Sequence, residues 1–80
     1  MNKTRVLAYW FYCNKDKLIS THEIISFGCD NFYNRAERTA RQLREKGLIS
    51  RVLDHEKPKN SKEDFYRVNV EEMESYLRGK

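Results

Sequence analysis

The stretch Arg38-Thr39-Ala40-Arg41-Gln42-Leu43-Arg44-Glu45-Lys46-Gly47-Leu48-Ile49 decides how this chain is read. At 100° per residue, Ala36, Ala40 and Leu43 fall on one stripe of a helix. Two small side chains in that stripe allow close approach to a neighbouring helix. The opposite side carries Asn34, Arg38, Arg41 and Glu45, flanked by Arg35 and Gln42. Asn34 followed by Glu37 has the spacing of a capping pair, so the helix is expected to begin near Phe32 or Asn34. Gly47 after Lys46 ends it, because glycine accepts the left-handed backbone of a helix terminus. Leu48 to Leu53, apolar and partly β-branched, then predicts a strand.

Toward the N-terminus, Leu18-Ile19 predicts a very short strand and Ser20, with Glu23 three residues on, a capping box. A short helix from His22 to about Phe27 should bury Ile24 or Ile25 together with Phe27 and stop at Gly28. An earlier helix, Lys3 to Cys13, places Val6, Leu7, Trp10 and Phe11 on its core face and Arg5, Ala8, Tyr9 and Tyr12 on the other. Toward the C-terminus, Asp54 to Glu63 is polar, and Lys57-Pro58-Lys59-Asn60 is the expected reversal. Phe65 to Val70 alternates, with Tyr66, Val68 and Val70 on one side, and predicts a second strand. Asn69 with Glu72 offers a further capping pair for a last helix that turns Met73, Tyr76 and Leu77 inward.

The expected class is therefore α+β, mostly α. Two short helices around a tight turn, followed by a hairpin, resemble a helix-turn-helix with a wing. Leu18-Ile19-Ser20-Thr21-His22-Glu23-Ile24-Ile25 resembles the strand and second helix of the winged helix-turn-helix family, and Arg38 to Ile49 resembles the end of its recognition helix. The likeness reaches from Lys3 to about Leu77 in architecture and is specific over Leu18 to Ile49. It resembles small stand-alone regulators, including those of phages, plasmids and archaeal viruses. The resemblance implies one winged-helix domain over 1–80, with three helices, a two-stranded wing and a short C-terminal helix. Its implied partner is double-stranded DNA. Some members of the family dock proteins instead, so a docking module without DNA binding is the alternative.

Charge placement favours DNA. Residues 34–46 hold four Arg, one Lys and two Glu, a net +3 in a chain of net +4. Lys would keep an ordinary solvated face soluble equally well, whereas Arg bridges guanine O6 and N7 or clamps phosphate. Asn and Gln pair with adenine. The candidate DNA-binding residues are therefore Asn34, Arg35, Arg38, Arg41 and Gln42. Thr21 joins them, since the N–H groups at the start of its helix could meet a phosphate. Lys57, Lys59 and Lys62 complete the set from the wing, although residues 54–64 carry a net −1, unlike a wing that hugs phosphate.

Other classes are disfavoured. Cys13, His22, Cys29 and His55 lack ligand spacing, so no metal or other cofactor is expected, and the cysteines read as buried or half-buried fillers. Asp54-His55-Glu56 puts adjacent side chains on opposite faces, and there is no phosphate loop or nucleophile elbow, so no enzyme is expected. The N-terminal apolar run of about eight residues falls short of the roughly 20 a bilayer requires. Two cysteines and no cleavage signal point to a cytoplasmic protein with reduced thiols. Tyr9 and Tyr12, or the C-terminal helix, are the expected homodimer contact if they are left exposed.

Overall fold

A computed structural model describes residues 3–31, 33–58 and 61–79. The elements run α1 (Lys3–Cys13), β1 (Ile19–Ser20), α2 (Thr21–Asp30), α3 (Ala36–Glu45), β2 (Ile49–Arg51), a 3-10 turn (Asp54–Glu56), β3 (Phe65–Val68) and α4 (Val70–Leu77). The strands form one antiparallel sheet in the order β1-β3-β2. Ile19 faces Tyr66 across one ladder, and Ile49 faces Val68 across the other. These four side chains are buried, together with Leu7, Phe11, Ile24, Leu43 and Met73 from the helices. The architecture is thus α+β and mostly helical, with four helices and three strands among the described residues.

Local chemistry fixes the helix ends. Ser20 caps α2 through its hydroxyl, which accepts from the Glu23 amide at 3.1 Å, while the Glu23 carboxylate accepts from the Ser20 amide at 3.2 Å. Lys17 donates to the same carboxylate at 2.6 Å and holds it below its usual pKa. At the end of α3, Gly47 takes a φ of 80°. Its amide donates to Arg44 O, and the Leu48 amide donates back to Leu43 O. That 5→2 and 6→1 pair is a Schellman motif, with Leu43 and Leu48 both buried beneath it.

Several expectations need correction. Gly28 does not stop α2, which continues to Asp30. Gly28 is buried, and its lack of a side chain serves close approach: a Cβ there would overlap the Tyr33 carbonyl oxygen and meet Ala36 Cβ at 3.0 Å. α3 begins at Ala36 rather than Phe32 or Asn34 (Phe32 lies outside the described residues), and its cap residue Arg35 makes no side-chain capping bond. Ile24 takes the core position, leaving Ile25 46% exposed. Ala8, expected on the outer side of α1, is buried because α3 and α4 both pack against α1. Trp10 is half-buried and stacks on Phe27 at 4.8 Å.

Further corrections lie in the C-terminal half and at the cysteines. β1 is Ile19–Ser20 rather than Leu18-Ile19, and β2 is only Ile49–Arg51, since the chain turns into the 3-10 segment and leaves Leu53 exposed. β3 stops at Val68, and Val70 opens α4. Asn69 does not cap α4 with its side chain; that amide donates instead to Gly47 O at 2.9 Å and Ser50 Oγ at 3.0 Å, tying β2 to the end of β3. Cys13 and Cys29 are exposed free thiols, because each sits in the last turn of its helix, past the packed stripe.

Candidate nucleic-acid interface

α3 is amphipathic in the strict sense. Ala36, Thr39, Ala40 and Leu43 are buried, and the Thr39 hydroxyl is hydrogen-bonded to the Tyr33 hydroxyl. Packing that stripe inward aims the rest of the helix outward. Arg38, Arg41 and Gln42 are exposed, as are Arg44 and Lys46 on the flanks. Asn34 and Arg35 stand exposed in the turn that leads into the helix. The structure therefore gathers the five candidates of this segment on one helix and its entry.

These side chains are largely uncommitted. Those of Asn34, Arg35, Arg38, Gln42 and Arg44 make no hydrogen bond or ion pair with other described residues. Arg41 approaches Glu37 at 3.8 Å, an exposed i,i+4 pair. Such a pair contributes only about 0.3–0.5 kcal/mol and yields readily to a phosphate.

Thr21 is placed differently. Its amide and hydroxyl both donate to the Asp64 carbonyl, at 3.1 and 3.2 Å. The next amide, of His22, donates to the Glu63 carboxylate at 2.9 Å. The start of α2 already holds an anion from its own chain, and a phosphate there would have to displace Glu63.

Carboxylates of the segment between β2 and β3 pair with cations of the segment and of the strands beside it. The Lys57 side chain is only 10% exposed, with its ammonium 3.1 Å from Asp54 and 3.7 Å from Asp64. Arg51 shares Asp64 at 3.0 Å. Arg67 on β3 meets Glu56 at 2.7 Å and holds that carboxyl below its usual pKa. Lys62 is exposed, and Lys59 lies outside the described residues. Of the three lysines expected to join the α3 arginines, Lys57 is thus taken up by carboxylates of its own segment.

Sequence reading missed the task of Arg5. Expected on the outer side of α1, it donates to Tyr76 O at 3.1 Å and Leu77 O at 2.6 Å, closing the C-terminal end of α4. No local signal reveals a partner more than 70 residues away. Tyr9 is exposed, whereas Tyr12 is half-buried and donates to Glu74 at 2.6 Å. Among the described residues no cluster of His, Cys, Asp and Glu could hold a metal, and no helix is long and apolar enough to cross a membrane. No protein-family model, curated protein or solved structure matches the chain.

Proposed function

We propose that this chain is a winged helix-turn-helix protein that binds double-stranded DNA, a small cytoplasmic transcriptional regulator that lays α3 in the major groove. It is a binding protein rather than an enzyme, and it works as a homodimer through the α1 and α4 side of the molecule. The observation that carries the reading is the outer face of α3. Exposed Arg38, Arg41 and Gln42, held by nothing beyond the loose Arg41–Glu37 pair, stand opposite a buried stripe, with Asn34 and Arg35 at the helix entry. A helix in the major groove reads bases with such side chains while neighbouring cations bind phosphate.

A gel shift on mixed-sequence duplex at two salt concentrations tests it. With about three or four phosphates neutralised per chain, affinity should fall about 40- to 150-fold between 50 and 200 mM salt. No affinity for any duplex at low salt would remove the DNA reading. The alternative, a docking module for another protein, is favoured by the wing, whose Lys57 is consumed by Asp54 and Asp64. If DNA is the partner, the wing contributes little. Changing Lys57, Lys59 and Lys62 together is then expected to weaken binding less than Arg38→Ala alone, as titrations on one duplex would show.

A further inference from the structure

A groove of about 580 Å³ runs between α1 and α4. Val6, Tyr9 and Tyr12 line it from α1, Glu74 and Leu77 from α4, and Arg78 from just beyond. Tyr9 is 61% exposed at its edge. The two helices are already fastened to each other, by Tyr12 to Glu74 and by Arg5 to the carbonyls of Tyr76 and Leu77. An occupant would therefore meet a preformed surface and lose little affinity to ordering it. No α2, α3 or sheet residue lines the groove, so filling it leaves the outer face of α3 open.

We propose that the occupant is a second copy of this chain, related by a two-fold axis, with Tyr9 of each copy seated in the α1–α4 groove of the other. The charge pattern singles out a second copy. A two-fold contact uses the same patch twice, so the patch must complement itself. Glu74 and Arg78 are four residues apart, hence on one side of α4, and opposite in sign. Antiparallel pairing of α4 with its copy sets each Arg78 against the other Glu74. Glu74 accepts from Tyr12 on Oε2, which leaves Oε1 for that contact. The tyrosine-rich, largely apolar centre with charges at its edge is the composition of an interface core and rim. A stable dimer needs about 800 Å² per partner. That is about one seventh of the 5653 Å² surface, so the outer faces of α1 and α4 close together around the groove.

This deepens the dimeric part of the proposed function and does not depend on DNA. Sedimentation velocity without DNA, from about 5 to about 500 µM, reads it directly. The parent should move from monomer to dimer mass. Tyr9→Glu should remain monomeric with an unchanged circular dichroism spectrum. Arg78→Glu alone and Glu74→Arg alone should each be monomeric, because each places like charges across the axis. An equimolar mixture of the two should dimerise, because every cross-axis pair is then opposite in sign. A parent that stays monomeric throughout overturns the proposal. So does a Tyr9→Glu variant that dimerises as the parent does, or a charge-reversed mixture that does not pair. A monomeric parent whose groove takes up anilinonaphthalene sulfonate would instead assign the groove to a small apolar ligand or a foreign chain. Failure of the gel shift with an intact dimer would leave this interface standing and remove only the DNA reading.

Discussion

The Arg38→Ala, Arg41→Ala double variant is expected to lose about 10²- to 10³-fold in duplex affinity while unfolding at the parent's midpoint. The fold should not notice the change. Both side chains are exposed, Arg38 has no partner among the described residues, and Arg41 gives up only its distant contact with Glu37. Alanine is also the best helix former for such positions. Binding should notice, because two Arg contacts at about 1–3 kcal/mol each account for a loss of this size. Single variants separate the roles. A base-reading Arg, once removed, relaxes preference at one position of the site. A phosphate-binding Arg weakens all sequences alike and flattens the salt slope by about one unit. A folded double variant that binds as tightly as the parent would show that α3 is not the reader.

Gly28→Ala should destabilise the protein by about 2–4 kcal/mol, the reverse of what a helix glycine ordinarily gives. In a typical helix interior, glycine to alanine is favourable by about 0.5–1 kcal/mol. Here the new methyl would overlap the Tyr33 carbonyl oxygen, which is backbone and cannot swing aside, and would crowd Ala36 Cβ at 3.0 Å. Relief requires α2 to move away from the turn into α3. That movement breaks the 2.6 Å hydrogen bond from the Tyr33 amide to Gly28 O and opens the tightest part of the α2–α3 packing. For a domain of this size the melting temperature should fall by about 10–25 °C. Gly47→Ala provides the contrast. Nothing lies within 4 Å of its Cβ position, but its φ of 80° is unfavourable for alanine, so a cost of only about 1–2 kcal/mol is expected. Thermal unfolding of the two variants beside the parent distinguishes a steric from a conformational role. A neutral or stabilised Gly28→Ala would contradict the close approach.

Local features were the legible ones. The Ser20–Glu23 capping box, the Gly47 terminus and the Ala36–Ala40–Leu43 stripe are each built from residues only a few positions apart, and all stand as their spacing implied. The same stripe determined which arginines face outward, so the α3 part of the candidate site could be read in advance. Features that depend on a distant partner could not. Asn69 has good cap chemistry at the correct position, yet it is drawn away by Gly47 and Ser50, which only the β2–β3 pairing brings near. Lys57 looks free in sequence and is enclosed by carboxylates on both sides of the loop. Gly28 follows an apolar helix as a stop signal would, and only the position of Tyr33 reveals its packing role. Ile24 and Ile25 are chemically alike, and a rotation of 100° decides which is buried.

The strand at the centre of the sheet is the last strand to be synthesised. β1 and β2 each pair with β3, and they stand on opposite sides of it. A ribosome adding about 5–20 residues per second therefore finishes β2 about one to three seconds before β3 is complete. Until β3 joins the fold, Ile19 and Ile49 have no strand to lie against, and Met73, which follows β3, does not yet cover the helices. The nascent chain carries two unpaired apolar edges that only residues 65–68 can satisfy together. Its exposure to chaperones, or to a neighbouring copy on the same message, is set by the time between the second strand and the third.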